Sequence, residues 1–162
     1  MTRAQILRKK TGIILAVVGI ILSLMPAVKL ADGTKLFVFQ IIGNDTFFDM
    51  GKANESPISY IVGIILCIVF IYGLLVHVIN LILWLRKKKE NTYIGVMALN
   101  YASFLALLGS MALVSFEASG TVVALFPYTI WQCLRIIVTL GEVVIKLHGE
   151  ELFNVFFLSS KK

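Results

Sequence analysis

PISYIVGIILCIVFIYGLLVHVINLILWL, residues 57–85, contains no Asp, Glu, Lys or Arg and stops at Arg86-Lys87-Lys88-Lys89. About 20 apolar residues of helix cross the ~30 Å hydrocarbon core of a bilayer. A longer run with a basic stop therefore reads as a membrane-crossing helix. Three more runs meet the same length: Thr11 to Val28, Tyr93 to Phe116, and Gly120 to about Ile145. The whole chain agrees with them. Its 162 residues are 59% hydrophobic and 15% charged, with a mean hydropathy of +0.92. An ordinary soluble domain carries roughly 45–50% apolar and about 25% charged residues. This composition excludes a soluble enzyme, a disordered tail and a nucleic-acid-binding domain.

The expected fold is all-α and integral to the membrane. It is a four-transmembrane-helix bundle with a small extracytoplasmic β-meander between helices 1 and 2. One membrane domain covers residues 1–162, with spans at 11–28, 57–85, 93–116 and 120–145, an outer loop at 29–56 and a cytoplasmic tail at 146–162. The first run follows Arg3, Arg8, Lys9 and Lys10, as in a signal peptide. However, Pro26-Ala27-Val28-Lys29 lacks the small-x-small cleavage pattern, so the run reads as a retained helix.

Basic residues set the orientation. Arg3, Arg8, Lys9, Lys10, Arg86 to Lys89, Lys146, Lys161 and Lys162 fall on one side, and only Lys29, Lys35 and Lys52 on the other. Eleven against three places both termini in the cytoplasm of a multi-pass cell-membrane protein. The net charge of +6 thus serves orientation rather than phosphate binding, and no nucleic-acid partner is expected. The expected partners are the lipid bilayer and either another membrane protein or a second copy of the chain.

In the outer loop, Asp32-Gly33 is a hairpin turn signal between Val28-Lys29-Leu30-Ala31 and Thr34-Lys35-Leu36-Phe37-Val38-Phe39. A second turn at Gly43-Asn44-Asp45 precedes Thr46-Phe47-Phe48, giving a meander of two or three strands. Phe37, Phe39, Phe47 and Phe48 are expected at the helix ends or the headgroups. This layout resembles that of claudin-type proteins in element order alone. Their tryptophan-and-cysteine loop signature is absent, since residues 29–56 contain neither residue, and no function is carried over.

Small residues let helix backbones approach in lipid. Gly12, Ala16, Gly19 and Ser23 form one such face on the first helix; Ser59, Gly63 and Cys67 form one on the second. Ala98, Ala102, Ala106 and Ser110 form one on the third, suited to packing within the chain or between chains.

The fourth run carries the chemistry. Tyr128, Gln132, Arg135, Thr139, Glu142 and Lys146 recur at steps of four and three, one stripe of a helix. An arginine this deep costs at least ~2.5 kcal/mol by insertion scales. Arg135 therefore either faces a polar interior, where an anion, a lipid phosphate or a partner's carboxylate would meet it, or snorkels to the headgroups. On the second helix Gly73, His77 and Asn80 share a face, and Asn100 and Ser103 sit on the third. His77, Asn80, Asn100, Gln132, Arg135 and Glu142 are the candidate binding cluster. No catalytic pair, phosphate loop, CxxC or metal-ligand spacing occurs, so neither enzyme activity, cofactor nor metal is expected. Cys67 and Cys133 lie within apolar runs as small buried residues.

Sequence alone favours a non-enzymatic membrane protein acting through protein contact, as accessory subunit, sensor or scaffold. The competing reading is a small transporter or channel with a polar path around Arg135.

Overall fold

A computed structural model describes residues 3–30, 33–42, 57–86, 93–119 and 125–159. The chain is mostly helical. It runs α1 (Arg3–Ser23), β1 (Val28–Leu30), β2 (Lys35–Leu36), α2 (Val38–Ile41), α3 (Pro57–Leu85), α4 (Tyr93–Ser119), β3 (Leu125–Tyr128) and α5 (Ile130–Ser159). Among the described residues, two helices contain segments long and apolar enough to cross a membrane, at Tyr60–Leu85 and Ile94–Met111. The four long helices close into a ring: α1 packs on α3 and α5, and α4 packs on the same two from the other side.

The expected hairpin forms. Val28 pairs with Leu36 and Lys29 with Lys35, and Gly33 takes a positive φ of 90° in the connection. Beyond it the meander is corrected. The strand expected to run to Phe39 stops at Leu36, and residues 38–41 wind into a single helical turn. The Gln40 side-chain Oε1 accepts the Phe37 backbone N–H at 3.1 Å, which closes that turn. Val38 and Ile41, three apart, then point into the core, while Phe37 and Phe39 stay exposed. Burial of one face thus switches the side-chain period from two to three. The second turn at residues 43–45, with Phe47 and Phe48, lies outside the described residues.

The third strand comes from the far end of the chain. The sheet order is β2-β1-β3, and β3 takes Leu125–Tyr128, Pro127 included, out of the expected fourth span. Val28 pairs with Tyr128 and Lys29 with Phe126, so Pro127 is the extra residue of a bulge. A residue without an N–H fits there, on an edge strand, because no ladder bond is lost. The last helix accordingly starts at Ile130 rather than Gly120, and Tyr128 drops out of its stripe. Thr129 joins the two layers: its N–H donates to Ala27 O at 3.2 Å and its hydroxyl to Pro26 O.

The apolar core sits where this sheet meets the helices. Ala27, Val28, Leu36, Val38 and Ile41 pack with Val62, Leu66, Cys67 and Phe70 of α3, Leu107 of α4 and Ile136 of α5. Away from the sheet the core becomes polar. α1 buries its predicted small face, Gly12, Ala16, Gly19 and Ser23. α4 does not bury all of its own. Ala98 and Ala102 face outward, and the helix packs through Val96, Asn100, Ser103, Leu107 and Ser110 instead. Asn100 meets Asn80 on that inward side, and the rotation that buries it carries the two alanines out.

α5 continues without a break from Ile130 to Ser159, about 45 Å at 1.5 Å per residue. The tail expected from residue 146 is therefore an extension of the last helix. Its side chains at Leu147, His148, Glu151, Leu152, Asn154 and Val155 are exposed.

Candidate functional site

All six residues of the expected cluster converge. His77, Asn80, Asn100, Gln132 and Arg135 are fully buried, and Glu142 is 1% exposed. They line a column between the helices. From Gln132 to Lys146 it extends about 21 Å along α5.

At the sheet end, Gln132 Nε2 donates to Leu22 O at 3.4 Å, near the end of α1. Arg135 comes next and does not snorkel. Its Nη2 donates to Phe70 O on α3 at 2.9 Å, its Nη1 to Gln132 Oε1 at 3.3 Å, and its guanidinium lies 5.9 Å from the Phe70 ring centre. Gly73 makes this possible. A Cβ there would sit 2.5 Å from Arg135 Nη2, so the guanidinium occupies the space that any side chain would fill. Gly73→Ala is expected to displace it and to cost about 1–3 kcal/mol, the usual range for overpacking. A thermal unfolding midpoint in detergent equal to the wild-type value would contradict this placement.

One turn further, Thr139 donates its hydroxyl to Arg135 O at 2.8 Å. Glu142 then pairs with His77 Nδ1 at 2.9 Å through Oε2, both side chains excluded from solvent. Intrahelical counting from Glu142 does not reach His77, which is 65 residues away on another helix. The imidazole is held from behind by α1. A methyl group at Gly19 would fall on His77 Nδ1, so the helix backbone presses against the ring.

At the far end, Asn80 and Asn100 form a reciprocal amide pair, with N···O distances of 2.6 and 3.1 Å. Asn100 also donates to Val96 O at 2.6 Å, and Lys146 Nζ donates to Asn80 Oδ1. Lys146 is 4% exposed, which removes it from the charges that fix orientation and makes it part of the column. Sequence reasoning placed it on the right stripe but assigned it to the tail. The step of four from Glu142 was the signal that could have found it. Arg8 closes this end by donating to Ile145 O and Lys146 O at 3.2 and 2.8 Å and stacking 5.9 Å from the Trp84 ring.

Arg135, Glu142 and Lys146 thus lie buried on one stripe of α5, two cations and one carboxylate, leaving one positive charge in excess when His77 is neutral. Among the described residues, His77 Nε2, Glu142 Oε1 and Ser103 Oγ are buried without a hydrogen-bond partner. No three His, Cys, Asp or Glu side chains gather as metal ligands among the described residues. Comparison with known proteins gives no matching family model, no similar curated protein and no similar solved structure.

Proposed function

We propose that the chain is a multi-pass cell-membrane protein whose four long helices all cross the bilayer as a bundle, with both termini cytoplasmic. Support comes from the inverted distribution of side chains. α1 and α5 carry too many charges to pass for apolar helices, yet α5 turns its polar stripe inward. Its Ile130, Leu134, Ile137 and Leu140 are exposed, as are Ile14, Val17, Val18 and Ile21 on α1. Water would favour the reverse arrangement; hydrocarbon favours this one. The sheet then lies at the outer surface over the ends of α1 and α5.

The function this geometry supports best is a small transporter or channel for anions, with the path running through the column around Arg135. One observation carries it: Arg135, Glu142, Lys146 and His77 are buried together along about half of a bilayer's ~30 Å hydrocarbon depth. Desolvating such groups costs several kcal/mol each, and within membranes they mark ion and proton pathways. The excess positive charge selects for anions. The test is efflux of chloride, acetate or inorganic phosphate from vesicles containing the purified protein. Efflux above that of protein-free vesicles for at least one anion supports the reading, and none for all three contradicts it.

A second reading, an accessory subunit or scaffold acting by contact, rests on α4. Gly95, Ala98, Ala102 and Gly109 are exposed on this helix, and a Cβ at either glycine would meet nothing within 4 Å. Such a face admits another helix closely. Stoichiometric co-purification of one membrane protein in mild detergent would favour it.

A further inference from the structure

We propose that the His77–Glu142 pair is a proton-binding site inside the bilayer, an inference that rests on the ion-path reading above and names its coupling ion. The pair is joined through one atom of each group, Nδ1 to Oε2 at 2.9 Å. The other two atoms, His77 Nε2 and Glu142 Oε1, are buried with no hydrogen-bond partner among the described residues. A buried polar atom left unpaired costs about 1–3 kcal/mol, and more beside a charge. Residues that served only to hold helices together would gain by satisfying both, as the neighbouring Asn80–Asn100 pair does.

With His77 neutral and its Nδ1 proton directed at the carboxylate, Nε2 and Oε1 are both acceptors. What is missing is therefore a donor. A metal cation does not fit, because Lys146 lies one helical turn from Glu142 and Arg135 two turns away on the same stripe. A proton does. Binding at Nε2 gives an imidazolium held by the carboxylate, and binding at Oε1 gives a neutral acid. Either way the pair goes from one negative charge to zero, and no other bond forms or breaks.

The groups around the pair set when it loads. α1 contributes Gly19 at the ring and Arg8 at the level of Lys146, α3 the neutral Asn80, and α4 the neutral Asn100 and Ser103. α5 contributes the two buried cations, Arg135 and Lys146. Both oppose an added positive charge. An anion entering the column offsets them, so proton and anion binding reinforce each other, reciprocally, as any linked pair must.

The chain has two histidines, and His148 is exposed. Nitrogen NMR of histidine-labelled full-length protein carrying His148→Gln, in lipid nanodiscs, therefore reports on His77 alone. The expected result is one protonation step, with Nδ1–H the tautomer on its basic side. Adding Glu142→Gln, which keeps the shape, changes the Nδ1 signal and the protonation step of His77, because the carboxylate bonded to Nδ1 is gone. No titration of His77 over the range in which the protein stays folded, or an unchanged midpoint with Glu142→Gln, overturns the proposal. Titration as expected without anion efflux from vesicles leaves the proton site standing and removes the transport reading. Efflux with a silent His77 does the opposite.

Discussion

Arg135→Leu is expected to abolish most anion efflux from reconstituted vesicles, by about ten- to hundredfold, while the protein still folds and extracts as the wild type does. The magnitude follows from the hydrogen bonds a buried charged donor makes, about 1.5–3 kcal/mol each. The fold is expected to survive because Lys146 still balances the Glu142 charge, although Phe70 O and Gln132 Oε1 lose a donor at about 1–3 kcal/mol. Arg135→Lys is intermediate. It keeps the charge but cannot reach Phe70 O and Gln132 Oε1 at once, as the planar guanidinium does. Efflux unchanged in Arg135→Leu, measured beside a thermal unfolding curve showing an intact fold, would mean that the arginine is structural and the path lies elsewhere.

Glu142→Leu has the largest expected effect on stability. The carboxylate is the only buried anion among the described residues of the column, set between Arg135 and Lys146 and bonded to His77. Removing one member of a buried charged set leaves the others uncompensated, at about 3–5 kcal/mol. The thermal midpoint in detergent should fall far below that of Glu142→Gln, which retains a hydrogen-bonding head. Lys146→Leu in the same chain should recover a large part of the loss, since it removes the nearest uncompensated cation. The double-mutant cycle measures that coupling. Additive losses would show that Glu142 and Lys146 do not sense each other and would weaken the charge accounting of the column.

Much of this site is legible in the sequence. The steps of four and three from Gln132 to Lys146 identify one face of one helix, and the six expected cluster residues share one interior. Periodicity shows which residues share a face; it does not show which face meets which helix. Hence Glu142 lacked its partner, His77, 65 residues away. The same gap explains α4. Its alanine stripe is real, but the competing stripe through Asn100 and Ser103 carries hydrogen-bonding groups that hydrocarbon would not solvate, and that stripe took the inside. In the sheet, local turn chemistry found the Asp32-Gly33 hairpin. Strand β3 escaped because its pairing with β1 spans nearly a hundred residues, and because Pro127 argues against a strand unless a bulge is waiting for it. The end of β2 escaped for a different reason. Alternation through Phe39 was a valid strand signal, and one side-chain bond from Gln40 outweighed it.

We propose lipid on all four outward faces as the reason that the polar stripe of α5 turns inward. With Cys67 and Cys133 replaced by alanine, single cysteines at Ile14, Ile68, Leu105 and Ile137 would carry spin labels on the outward faces of α1, α3, α4 and α5. All four native side chains are exposed there. The measurement is the accessibility of each label, in vesicles, to apolar oxygen against a water-soluble nickel complex. Lipid around all four helices gives high oxygen and low nickel accessibility at every position. Free access of nickel at positions 14 and 137 would mean that α1 and α5 stand in water, and the bilayer placement of the column would be wrong.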